Sequence, residues 1–145
     1  MSKKEYEALK LENQLCFPLY AAAREVVKKY RSHLDAIGLT YTQYITMMVM
    51  WESREITVKA LVEMLFLDSG TMTPVLKSLE AKGLVERKRC EDDERSVMIF
   101  LTADGEKLRE MAVDIPEKIA SCVGLAPEEA IELYSLLYKV LKAEK

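Results

Sequence analysis

The sequence predicts a mainly α-helical fold interrupted once by a small β-hairpin, and three observations predict it. Apolar residues recur at helical spacing along most of the chain, beginning with a long run from about Leu9 to Ile37. Two short helical segments then follow one another across a tight polar turn near Asp68-Ser69-Gly70. After Gly83 the period switches to strand-like runs, Leu84 to Cys90 and Arg95 to Leu101, around the charged tip Glu91-Asp92-Asp93-Glu94.

The chain has 145 residues, 50% hydrophobic and 31% charged, which fits one soluble globular domain over 1–145. No apolar stretch approaches the roughly 18 residues of a membrane helix, and Met1-Ser-Lys-Lys-Glu-Tyr-Glu lacks the apolar core of a secretory signal. A cytoplasmic protein without membrane contact is expected. With one histidine and three cysteines, none in Cys-x-x-Cys, neither a metal site, a cofactor nor a disulfide scaffold is expected. A net charge of −3 argues against coating nucleic acid by charge alone, yet Arg54 to Arg89 carries seven basic side chains against five acidic ones.

In the first helix Cys16, Tyr20, Ala23, Val27, Tyr30 and Leu34 follow alternating steps of 4 and 3, so they form one narrow seam suited to facing another helix. Gly38 ends it. Thr40 to about Ser53 predicts a second, largely buried helix, and Thr57 caps a short one carrying Val58, Leu61, Val62 and Leu65. A further helix runs from about Thr71 to Lys82, with Met72, Val75, Leu76 and Leu79 inside and Gly83 as its C-terminal cap. Two short helices joined by a polar turn and followed by a hairpin read as a winged helix-turn-helix over 40–102. Thr102 caps a helix through about Ser121, kinked at Pro116; Cys122 to Ala126 is a break; and Pro127-Glu-Glu opens a final helix. Residues 1–38 and 103–145 are expected to supply mainly dimerisation helices.

On the helix from Thr71, core residues leave Gly70, Thr73, Pro74 and Lys77 opposite, with Ser69 and Thr71 at its start. Small polar residues let a helix enter a major groove, and hydroxyls and amides at its start bond phosphates or base edges. An ordinary solvated helix face has the same composition, and the hairpin that follows decides between them. Leu67-Asp-Ser-Gly-Thr-Met-Thr-Pro-Val-Leu-Lys-Ser-Leu-Glu-Ala-Lys-Gly-Leu-Val, then Arg87-Lys-Arg, Asp92-Asp-Glu-Arg-Ser and Leu101-Thr-x-x-Gly105 resemble the core of MarR-type regulators over roughly 40–105. The resemblance implies that Asp93 holds Arg95 for entry into the minor groove, with Arg87 and Lys88 also at the DNA. A surface salt bridge across the hairpin is the plainer alternative.

Leu11-Glu-Asn-Gln-Leu-Cys-Phe-Pro-Leu-Tyr-Ala-Ala, with Tyr30 and Leu39-Thr-Tyr-Thr-Gln-Tyr, resembles the organic hydroperoxide resistance regulators within that family. The resemblance implies a peroxide-sensing Cys16, hydrogen-bonded by Tyr30 and Tyr41 of the partner subunit, with Tyr20 on the same seam. Spacing supports a shared site independently. Tyr30 follows Cys16 by fourteen residues, so one helix holds them apart, whereas an antiparallel copy crossing near Ala23 brings them together. A buried small hydrophobe is the ordinary role of a lone cysteine. Phe17 and its apolar surroundings favour an organic hydroperoxide as effector. Pro18 either begins the helix, setting Cys16 at the positive end of its dipole, or kinks it.

Family resemblance also implies two ways of completing oxidation, with a small cellular thiol or with a second protein cysteine. Cys122 matches the resolving position and would form an intersubunit disulfide with Cys16; a buried residue ending a helix is the alternative. Cys90 and His33 are expected to be incidental. The function expected is therefore that of a repressor, not an enzyme: a homodimer on pseudo-palindromic double-stranded operator DNA, released when peroxide oxidises Cys16. Alternatives are a MarR-type repressor released by a small aromatic ligand, a thiol peroxidase, and a helical interaction module without DNA.

Overall fold

The computed structural model describes residues 6–92 and 96–143, in two compact units, Met1–Ile115 and Pro116–Lys145. In the first unit a short 3-10 turn, Leu11–Asn13, precedes helix α1, Cys16–Asp35. The continuous helix expected from Leu9 is thus broken ahead of Cys16, where the Gln14 side-chain amide donates to the carbonyls of Ala8 (2.6 Å) and Lys10 (2.8 Å). Pro18 accounts for it: with no N–H it cannot bond the Gln14 carbonyl four residues back, and its ring crowds that carbonyl, whereas in a first turn the missing donor costs nothing. As the third residue of α1, Pro18 opens the helix and does not kink it. Gly38, at φ +73°, makes the expected stop.

Helix α2, Tyr41–Ser53, begins with a reciprocal cap: Thr40 Oγ1 accepts from the Gln43 N–H (3.3 Å) and Gln43 Oε1 accepts from the Thr40 N–H (3.1 Å). Strand β1, Glu55–Thr57, is an element the sequence reading lacked. Helix α3, Val58–Leu65, is capped by Thr57 as expected, its hydroxyl accepting from the Ala60 N–H at 3.1 Å. The turn after α3 falls earlier than predicted. Phe66 takes the left-handed conformation (φ 54°), and Asp68 caps helix α4, Ser69–Ala81, so that Ser69 and Gly70 belong to the helix and not to the turn. Short-range preference had favoured glycine for that turn, and the packing of α3 on α4 overrides it.

Strands β2, Val85–Arg89, and β3, Val97–Leu101, form the expected hairpin, with Val85 opposite Leu101 and Arg87 opposite Ile99. β3 also pairs antiparallel with β1, Ile56 opposite Ile99, giving the order β1-β3-β2. Helix α5, Ala103–Ala112, starts at the predicted Thr102 cap, whose hydroxyl accepts from the Gly105 N–H at 3.0 Å. A Cβ on Gly105 would run into the Leu84 carbonyl oxygen, which is why α5 approaches the hairpin so closely. The single kinked helix expected from Thr102 to Ser121 is instead two: α5 ends at Ala112 and α6, Ile115–Val123, follows, with Pro116 in its first turn, where proline loses no hydrogen bond.

The core of the first unit joins Leu34 and Leu39 to Tyr44, Met47 and Met50 of α2, Leu61 of α3, Met72, Leu76 and Leu79 of α4, and Val85 and Ile99 of the sheet. The second unit carries the rest of α6 and helix α7, Pro127–Leu141. Cys122 lies inside α6, so the break is shorter than expected and runs from Gly124 (φ +78°) to Ala126. Pro127 begins α7 as predicted, and the Glu129 carboxylate accepts from the Ala126 N–H at 2.9 Å. Ile131, Tyr134, Leu136 and Val140 of α7 are each more than half exposed, a large apolar surface for one chain to leave uncovered. Among the described residues no helix is long and apolar enough to cross a membrane.

Candidate thiol site and nucleic-acid interface

Helix α4 divides its residues as its sequence requires. Met72, Leu76 and Leu79 are buried, while Ser69, Gly70, Thr71, Thr73, Pro74 and Lys77 are all exposed. Asp68 fixes the exposed start: its carboxylate accepts from the Thr71 N–H at 2.7 Å, and the hydrogen bonds from Thr71 hold its pKa below the usual range. The Thr73 hydroxyl turns back to donate to the Ser69 carbonyl at 2.8 Å.

On the hairpin the two expected basic residues differ. Lys88 is exposed, its ammonium 3.8 Å from Glu86 and 5.4 Å from the centre of the Phe100 ring. Arg87 is committed to Glu80 of α4, through its Nε (3.2 Å), its Nη2 (2.9 Å) and its backbone N–H (3.1 Å). Those bonds hold the Glu80 carboxyl below its usual pKa. Arg87 is thus a brace between α4 and the wing, a role the sequence reading had not given it. Asp93 and Arg95 lie outside the described residues.

The predicted seam of α1 is present, and its two ends differ. Cys16, Tyr20 and Ala23 are exposed, with the Arg24 guanidinium 5.5 Å from the centre of the Tyr20 ring. Val27 is 39% exposed and Leu34 is 2% exposed, because the C-terminal half of α1 packs against α2. There Tyr30 meets Tyr41 and Tyr44, ring centres 5.0 and 5.7 Å away, and Tyr44 continues to Trp51 at 6.5 Å. Burial raises the pKa of all three phenols, that of Tyr44 to about 12 with added repulsion from Tyr30 and Tyr41. They are neutral hydrogen-bond donors at any physiological pH.

The structure therefore brings Tyr30 and Tyr41 together and leaves Cys16 apart from them: fourteen residues of α1 span roughly 21 Å along its axis. Tyr44 was missed, although its position three residues after Tyr41 in a helix signals the contact. Gln43 was missed as well. It is buried, and its side chain bonds both Ser78 of α4 and Lys82 at the C-terminal cap of that helix. Cys122 is exposed, its sulfur 3.9 Å from the Ser121 hydroxyl. Cys90 and His33 are half-buried, and the Cys90 N–H donates to the Ser96 carbonyl at 2.9 Å.

Known proteins resemble the chain throughout this arrangement. The family described as transcriptional regulator SarA/Rot matches residues 28–111. The organic hydroperoxide resistance transcriptional regulator of Bacillus subtilis is 49% identical over 140 residues, covering 97% of this chain and 95% of that protein. SarZ of Staphylococcus saprophyticus is 42% identical over 127 residues, 88% of this chain and 87% of its own. Among solved structures, reduced AbfR bound to DNA, a protein of Staphylococcus epidermidis, superposes with a TM-score of 0.78 at 35% identity, covering 95% of this chain and 96% of that one. Near-complete coverage at this identity, on a winged helix-turn-helix whose thiol and tyrosines lie in the matched region, identifies the chain as a member of the MarR-type transcriptional regulators of the organic hydroperoxide resistance group.

Proposed function

We propose that the chain is a peroxide-responsive repressor that works as a homodimer: reduced, it holds operator DNA, and oxidation of Cys16 by an organic hydroperoxide releases it. The observation that carries this reading is the split seam of α1, with a solvent-facing thiol at one end and a packed pair of phenols at the other. A two-fold axis near Ala23 sets each Cys16 opposite Tyr30 and Tyr41 of the partner, makes two composite sites, and covers Tyr20 and Val27. The exposed face of α4 from Ser69 to Lys77, with Lys88 on the wing, is the DNA-facing surface. Solved relatives sample several redox forms of one protein: AbfR is bound to DNA both reduced and overoxidized, and a disulfide form of it superposes with a TM-score of 0.65 at 34% identity, covering 98% of this chain and 100% of that one.

The chemistry balances. The Cys16 thiolate attacks one peroxide oxygen, the O–O bond breaks, an alcohol leaves, and the sulfur becomes a sulfenic acid. The Cys122 thiol of the other subunit then attacks that sulfur, forming a disulfide and releasing water. Each Cys16 reduces one peroxide and reacts again only after a thiol reductant restores it, so without added reductant the response is stoichiometric. Treating the reduced protein with one equivalent of cumene hydroperoxide and running non-reducing electrophoresis tests the second step. A covalent dimer lost in both Cys16→Ser and Cys122→Ser supports it, and monomer alone assigns resolution to a small cellular thiol.

A further inference from the structure

Peroxide chemistry at α1 must reach α4 if it is to release DNA, and one buried side chain spans the gap between them. Gln43 lies on α2 between Tyr41 and Tyr44, which form the phenol cluster with Tyr30. Its Oε1 accepts from the Thr40 N–H (3.1 Å) and from the Lys82 ammonium (2.9 Å), and its Nε2 donates to the Ser78 hydroxyl (2.9 Å). Lys82 also donates to the Gly38 carbonyl at the corner between α1 and α2. Gln43 is 7% exposed and, among the described residues, one of two polar ones in a core otherwise built of apolar side chains.

We propose that Gln43 is the positioning residue that couples the thiol and tyrosine site to helix α4, a proposal that rests on the peroxide-sensing reading above. Three physical features support it. Apolar contacts between helices slide at small cost, whereas a buried amide must keep its partners or leave them unsatisfied, so this network has discrete arrangements. The amide is held at both ends by hydrogen bonds of ordinary length, to the N-terminal cap of α2 and to the last turn of α4 and its C-terminal cap. Ser78 is the next residue after Lys77 of the DNA-facing surface, so a shift of the start of α2 is delivered at the end of the helix that must fit a groove. When oxidation of Cys16 removes the partner of the Tyr41 hydroxyl, the first turn of α2 repacks, and Gln43 carries that displacement to Ser78 and Lys82. Hydrogen bonds and packing conduct such a signal only where both sites bias the same two-state element, and this network is that element.

The test is operator binding by the full-length dimer, reduced and after cumene hydroperoxide, with oxidised Cys16 counted in each case by blocking free thiols, reducing, and labelling the Cys16 thiol so released. In the wild type the oxidised Kd exceeds the reduced Kd. Gln43→Met keeps shape and removes the bonds, and Ser78→Ala cuts the α4 end while leaving the α2 cap intact. Both are expected to bind DNA when reduced and to label fully, yet to lose roughly tenfold of that oxidised-to-reduced ratio, inside the range of ordinary allosteric couplings. Gln43→Glu retains acceptors for Thr40, Lys82 and the Ser78 hydroxyl and is expected to restore the ratio. A merely structural role would lower the melting temperature in both redox states and leave the ratio alone. An unchanged ratio in Ser78→Ala and Gln43→Met, with full labelling, overturns the proposal. A wild type that labels but keeps its DNA overturns the sensing reading itself and is thereby told apart.

Discussion

The two halves of α1 share one seam and live in different surroundings. Toward its C-terminus Leu34 is 2% exposed and Tyr30 is packed among aromatic rings; toward its N-terminus Tyr20 is 60% exposed and Cys16 faces solvent. A helix that existed only to fill a core would be buried along its whole apolar stripe. The contrast teaches that one half of α1 packs within its own chain while the other half leaves its apolar stripe uncovered. Under the proposed two-fold pairing, the thiol at one end of α1 meets the phenols at the other only across two chains.

Substitutions at the two ends sharpen the contrast. The largest effect is expected at the packed end: Leu34→Ala should destabilise the fold by about 2–5 kcal/mol in urea unfolding, through the lost transfer energy and the cavity. Next comes a pH effect. Tyr44 has a folded pKa pushed above its unfolded value of about 10, so its contribution is complete below pH 10 and is lost as pH rises toward about 12. Tyr44→Phe should flatten that alkaline decline, by on the order of 2 kcal/mol at the upper end. At the open end Ala23→Arg should leave the chain folded and weaken association at least tenfold, about 1.4 kcal/mol, in sedimentation measurements. Unchanged association would move the two-fold axis away from Ala23. The smallest effect is Thr40→Ala, which removes a cap and should cost about 1 kcal/mol in thermal unfolding.

What could be read from the sequence was what is encoded locally. Thr57 and Thr102 cap helices because a hydroxyl one residue ahead of an apolar period satisfies free amides, a signal complete within four residues. The division of α4 into Met72, Leu76 and Leu79 inside and Thr73 and Lys77 outside follows from period alone. What stayed hidden depends on partners distant in sequence. Glu55–Thr57 becomes a strand only because β3, some forty residues on, supplies its hydrogen bonds. Phe66 adopts a left-handed conformation where Gly70 was the local favourite. The bracing of Arg87 by Glu80 was not foreseen because it forms only when the hairpin folds back on α4, and the bonds of Gln43 to Ser78 and Lys82 form only when α4 docks. The separation of Cys16 from Tyr30 within one chain was legible from spacing, since fourteen residues on one helix exclude contact between them.

The central claim is that the open end of α1 is a switch for the surface of α4. A titration of the reduced protein onto its operator, repeated after one equivalent of cumene hydroperoxide, in wild type and in Cys16→Ser, tests it most directly. The account predicts that the wild type loses DNA on oxidation and that Cys16→Ser binds equally well before and after. A Cys16→Ser protein that still releases DNA with peroxide would contradict it.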